Sequence, residues 1–131
     1  MKESSQTFFA PELIIRSGLL ELDFYKQAFG AVELRRFSND DGTIHVSEMS
    51  IDGNIFHFHE ERPAAGHLTP AQAKGVTTII GLFVPDVDAV LTRAVAAGAR
   101  ITSRAQDYEY GYRQGSLVDP FGHTWQIQKA I

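Results

Sequence analysis

The feature that most constrains this chain is that it repeats itself. Residues 13–34, LIIRSGLLELDFYKQAFGAVEL, read as a short apolar strand, a polar break, an amphipathic helix, a glycine and a second strand. The segment that begins at Gly81, GLFVPDVDAVLTRAVAAGARI, reads the same way. Aligning the helix-ending glycines, Gly30 and Gly98, gives an offset of 68 positions in a chain of 131 residues. At that offset Leu19 matches Val87, Leu22 matches Val90 and Ala31 matches Ala99, so the apolar stripe recurs with its helical spacing. Both glycines suit the left-handed position that closes a helix. Asp86 is expected to cap the second helix and Ser17 the first.

Three extended stretches follow each helix: residues 32–37, 43–51 and 54–59 in the first half, and 100–104, 112–118 and 123–128 in the second. Asp-Gly at 41–42 and again at 52–53 marks hairpin turns, and Asp119-Pro120-Phe121-Gly122 stands where the later one recurs. The intervening stretch is rich in Ala, Pro and Gly and reads as an exposed linker with at most one helical turn. A four-stranded sheet carrying one helix leaves its other face bare, and a second such module is its natural companion. The expected fold class is therefore α+β: two βαβββ modules, about residues 8–60 and 76–131, joined by a linker of about 61–75 within a single domain 1–131. Together they would form a half-open barrel with the helices outside and a cleft inside.

Composition removes several function classes. With no cysteine there is no disulfide framework, thiolate nucleophile or sulfur-based zinc site. The net charge of −4 and the scattered basic residues give a nucleic acid backbone no footprint. The start, MKESSQTFF, lacks the apolar core of a signal peptide, and no apolar run has membrane-spanning length, so a cytoplasmic location is expected. No nucleophile elbow, phosphate loop or HExxH motif occurs.

The stretches LDFYKQAFGA (22–31), VPDVDAV (84–90) and YGYRQGSLVDPFGHTWQI (110–127) carry a resemblance. They resemble the paired signatures of the vicinal oxygen chelate superfamily, in particular the PhnB-like subgroup of the glyoxalase and bleomycin-resistance family. The resemblance implies the paired βαβββ fold, a homodimer, and a pocket for a small-molecule ligand on the concave face.

Strand alternation sorts the candidate residues by face. Phe56, Phe58, Trp125 and Ile127 belong under the helices, which leaves His57 and His59, with Gln126 and Gln128, to the cleft. In metal-dependent members of the family that the chain resembles, the first and last strands of each module supply one ligand apiece. That pattern falls here on Ala10, His57, Ile79 and Gln126, a set too poor for a catalytic divalent metal. No cofactor is therefore expected, with a nonstandard divalent metal site of His57, His59 and Glu12 as the alternative. Arg113 would bind an anionic ligand or pair with an acid. Tyr112, in a run with Tyr108 and Tyr110, would stack on a ligand from a loop lidding the pocket or pack a dimer edge. His45 and Glu48 lie on opposite faces of one strand and are assigned surface or edge roles, as is the Arg35-Arg36 pair. His67 is expected in solvent, and His123 as a brace of its turn. The leading reading is a noncatalytic small-molecule binder that sequesters a drug or metabolite. A metal-dependent lyase or isomerase, and a structural dimer with a vestigial cleft, are the alternatives.

Overall fold

The computed structural model describes residues 6–131. Module one runs β1 (Glu12–Ile15), α1 (Asp23–Phe29), β2 (Val32–Ser38), β3 (Ile44–Ile51) and β4 (Asn54–Glu60). A linker with a 3-10 turn (Pro63–Ala65) and one helical turn, α2 (Pro70–Ala73), leads to module two. There the order is β5 (Ile79–Phe83), α3 (Val87–Ala96), β6 (Arg100–Tyr108), β7 (Tyr112–Val118) and β8 (Thr124–Ala130). Each module is thus βαβββ, with strand orders β1-β4-β3-β2 and β5-β8-β7-β6, and the first strand lies parallel to the last. The two four-stranded sheets stay open and separate.

Local chemistry explains most of the boundaries. Gly30 ends α1 at φ 68°, in the left-handed region that a glycine enters without a Cβ penalty. Asp86 caps α3 by accepting a hydrogen bond from the Ala89 amide at 3.0 Å. Ser17 does not cap α1: the helix begins later, with Leu22 at the cap position and no side-chain cap bond, while the Ser17 amide donates to Glu61 Oε2. Asp52 and Gly53, at φ 48° and 82°, form the tight turn that an Asp-Gly pair favours between β3 and β4. The tyrosine run is not a long lid. Tyr108 ends β6, Tyr112 begins β7, and the Gly111 amide closes the hairpin onto the Tyr108 carbonyl at 3.0 Å.

The helices α1 and α3 pack on one face of their sheets and on each other. At the junction sits Tyr25, fully buried, its ring 4.5 Å from Phe58, 6.0 Å from Phe121 and 6.0 Å from Trp125 by centroid. Its hydroxyl donates to Asp119 Oδ2 at 2.5 Å. Burial first, and then the Asp119 charge, push this phenol well above its ordinary value, so it serves as a neutral donor. His123 makes a second tie between the modules: its Nε2 donates to the Ile14 carbonyl at 2.8 Å, so it braces β1 as well as its own turn.

Candidate functional site

Pairing register decides which side chains meet on the faces the helices leave open. In module one Glu12 lies beside His57 across the β1–β4 pair, Glu48 beside His57 across β3–β4, and Arg35 beside Glu48 across β2–β3. A charged row, Arg35, Glu48, His57 and Glu12, therefore crosses the whole sheet. Within it His57 Nε2 donates to Glu48 Oε2 at 2.9 Å. The other Glu48 oxygen, Oε1, is buried without a hydrogen-bond partner, with Arg35 Nε 3.5 Å away. That oxygen is thus held by an ion pair with no short hydrogen bond.

Glu48 is not the surface or edge residue that strand alternation suggests. Alternation only sets it apart from His45 on its own strand, whereas counting outward from Asp52-Gly53 places position 48 directly opposite 57. Arg35 and Arg36 are not merely solvated charge either. Arg36 pairs with Glu33 at 2.9 Å and Glu21 at 3.3 Å, and Arg35 belongs to the row. His45 does lie off the row, bonded through Nδ1 to Glu60 Oε1 at 3.1 Å, with its ring 5.0 Å from that of His59. His67 is exposed, and its ring lies 6.3 Å from His59.

Module two repeats the geometry without the charge. Gly81 lies beside Gln126, and Ser116 on the other side of Gln126. These stand where Glu12, His57 and Glu48 stand in module one. Ala10 precedes β1 and Ile79 pairs with Thr124, so the first-strand residues flanking the last-strand positions are Glu12 and Gly81 instead. The room above Gly81 is filled by Gln128, whose Nε2 is 2.7 Å from where a Cβ would stand. Gln128 is buried and accepts from Gln114 Nε2 at 2.6 Å, while Gln114 accepts from the Tyr110 hydroxyl. Tyr112 packs edge-on to Phe83 at 5.7 Å and to Tyr110 at 6.1 Å. Arg113 is absent from this face. Alternation turns it toward α3, where Asp88 takes its fork through two bonds of 2.9 Å and Asp107 takes a third. Of its two expected roles, the structure displays the acid pair.

No group of three or more His, Cys, Asp or Glu able to hold a metal occurs among the described residues. Module one's row holds His57 between the carboxylates Glu48 and Glu12, with Glu48 bonded to His57, and module two adds an amide and a hydroxyl.

The Glu48 carboxyl is held below the ordinary carboxylate range, chiefly by the His57 hydrogen bond, with Arg35 adding to it against the opposing effect of desolvation. A depressed folded value stabilises the fold above the unfolded value, near about 4.3, and that contribution is lost as pH falls through the folded value. Wild type should therefore lose more stability than Glu48→Gln between about pH 5 and pH 3, measured by urea midpoints. Parallel curves would show that the Glu48 carboxyl is not held below its ordinary range.

Comparison with known proteins agrees with the fold. The model of the Glyoxalase/Bleomycin resistance protein/Dioxygenase superfamily covers residues 21–127. The chain belongs to that superfamily. An uncharacterised protein of Mycobacterium bovis, Mb0911c, is 34% identical over 125 residues, which span 93% of this chain and 82% of that one. The crystal structure of the Arabidopsis thaliana gene product At5g48480 superposes with a TM-score of 0.71 at 28% identity, covering 93% of this chain and 98% of that one. TioX from Micromonospora sp. ML1 shares the fold at a TM-score of 0.69 and 24% identity, over 95% and 100% of the two chains. No described helix of this superfamily member is long and apolar enough to cross a membrane.

Proposed function

We propose that this protein binds a small organic molecule on the open sheet faces and acts by holding it rather than transforming it. The observation that carries this reading is Glu48 Oε1, a buried acceptor held only by a long ion pair to Arg35 Nε at 3.5 Å, in a row with His57 and Glu12. A buried carboxylate oxygen that makes an ion pair but no short hydrogen bond keeps acceptor capacity that a ligand N–H would use. The ligand class is thus an organic molecule with an amine or amide donor, whose apolar body meets Phe83 and Tyr112 on the second module's face. Gln126 and Gln128 supply neutral polar contacts beside it, and His59 extends the polar edge of the first.

A thermal-shift screen of organic amines should show stabilisation that grows with ligand concentration, about 2.7 kcal/mol at a hundredfold excess over Kd. Glu48→Ala should abolish the shift. A flat screen would favour a structural dimer with a vestigial cleft. Metal analysis of protein purified without chelator should find no stoichiometric metal in wild type, His57→Ala or His59→Ala. Stoichiometric metal lost in both variants would replace this reading with a metal-assisted lyase or isomerase.

The same reading includes a homodimer. Val32 and Phe37 on the first open face, and Ile79 and Phe83 on the second, are each more than half exposed, which is a large apolar area for a monomer to leave in water. Light scattering should give twice the chain mass, and Phe83→Glu should reduce it to one chain; a monomeric wild type would remove the dimer from the proposal.

A further inference from the structure

A concavity away from the open sheet faces lies where the two modules and the linker meet. It has a volume of about 480 Å³, within the range of small-molecule sites. Val118 and Thr124 of module two, the turn residues Pro120 and Phe121 and the linker's Pro70 are among the residues that line it. Arg16 and Arg100 stand at its rim, and no acidic side chain lines it. The charged row of module one contributes nothing to it.

Three contacts hold the walls in place. The linker is seated directly on the turn: a Cβ at Gly122 would come within 2.8 Å of Pro70 Cβ, so only glycine permits the approach. A capping box fixes the helical turn that carries Pro70, with Thr69 Oγ1 accepting from the Gln72 amide and Gln72 Oε1 accepting from the Thr69 amide. The bond from His123 to the Ile14 carbonyl draws the end of β1 against the same turn, which brings Arg16 to the rim. There its guanidinium carbon lies 5.3 Å from the centroid of the Phe121 ring.

Arg16 is thereby ordered by an aromatic face, and its planar fork remains open. Neither Arg16 nor Arg100 has a carboxylate within ion-pair distance among the described residues, whereas Arg113 and Arg36 are each taken by two acids. In a chain with 16 acidic against 12 basic side chains, a cavity with two open guanidinium groups and no acid selects for negative charge. A planar fork matches a carboxylate, and a stacked guanidinium gives up little freedom when it binds one. The rest of the lining is mainly apolar or aromatic. We propose that this junction pocket is a binding site for an organic monocarboxylate, with the carboxylate held by Arg16 and Arg100 and the apolar body laid against Phe121, Pro120 and Val118. It is independent of the amine-binding reading of the open faces and stands or falls separately.

Calorimetric titration with 2-naphthoate tests it, with 2-naphthylmethanol as the neutral counterpart. Saturable binding of one naphthoate per chain is expected, weakened about tenfold by Arg16→Gln or Arg100→Gln and about a hundredfold by the double variant. Raising the salt concentration should weaken it too, and the alcohol should bind at least about tenfold less well. Arg93→Gln, an exposed change on α3 away from the pocket, removes the same unit of charge and should leave the affinity unchanged. Ala71→Trp, which fills the cavity while keeping both arginines, should block binding. All these positions are exposed, and unchanged melting temperatures would establish that the variants are folded. Absence of saturable binding overturns the proposal. So does naphthoate binding that survives in the double arginine variant or in Ala71→Trp, which would place the anion elsewhere.

Discussion

Replacing Asp119 with alanine is expected to destabilise the protein by about 3–5 kcal/mol, because one truncation takes the acceptor from several buried donors at once. Asp119 is buried and accepts four hydrogen bonds. Its Oδ1 takes the amides of Phe121 at 2.8 Å and His123 at 3.1 Å, which shapes the turn before β8. Its Oδ2 takes the Tyr25 hydroxyl at 2.5 Å and Trp125 Nε1 at 3.0 Å, which ties module one to module two. Alanine strands all four donors, and each stranded buried donor costs about 1–3 kcal/mol less whatever water can recover. For a chain of this length the melting temperature should fall by about 10–20 °C. Asp119→Asn separates the turn from the tie between modules. Its amide group must face one donor pair and clash electrostatically with it, so it should recover only part of the loss. Tyr25→Phe leaves three donors on the carboxylate and should cost about 1–2 kcal/mol. A thermal melt of Asp119→Ala within about 3 °C of wild type would show that the carboxylate does not hold the modules together.

Asp119 also illustrates how unevenly the sequence discloses the molecule. The Asp-Pro-Phe-Gly turn is recognisable as a hairpin signal, but that its aspartate reaches a tyrosine 94 positions earlier is a tertiary fact no local pattern contains. The module boundaries are legible because they rest on local chemistry: an Asp cap, a left-handed glycine and an Asp-Gly turn each act within a few residues. The alternation of Phe56, His57, Phe58 and His59 is legible for the same reason. The first helix start is not, because Leu22 is fully buried and packing supplies what a capping side chain would have supplied. The candidate site is half legible. Periodicity alone puts His57 on the face away from Phe56 and Phe58, and the family resemblance suggests Glu12 beside it, whereas Glu48 and Arg35 join them only through pairing register, and register is set by turns. Arg113 misleads because alternation says that it faces away from Gln114 without saying which side a helix covers.

The second large effect is expected at Gly115, and its argument depends on comparison with Gly81. Both glycines sit inside strands where φ is not in the left-handed region, so neither is required by backbone conformation. An added Cβ meets another atom at 2.7 Å in both cases. At Gly115 that atom is Leu91 Cδ1, in the buried layer beneath α3, and the Ala105 backbone nitrogen and Cα stand at 3.2 and 3.3 Å behind it. Neither can withdraw: Leu91 is packed in the core, and the β6 backbone is already irregular in register between Ser103 and Gln106. Gly115→Ala is therefore expected to cost about 2–4 kcal/mol through overpacking. At Gly81 the obstacle is Nε2 of Gln128, the far end of a flexible though buried side chain rather than packed backbone. Gly81→Ala should cost less, about 1–2 kcal/mol, since Gln128 can swing aside but gives up its buried bond to Gln114. The two substitutions add the same methyl group at the same nominal distance, so denaturant midpoints that fell equally would refute the claim that the identity of the neighbour decides the outcome. If they separate as expected, Gly115 is a packing requirement of the fold. Gly81 is then a position where the second module tolerates a side chain, and the place at which its open face can be altered toward the charged row of the first without unfolding the protein.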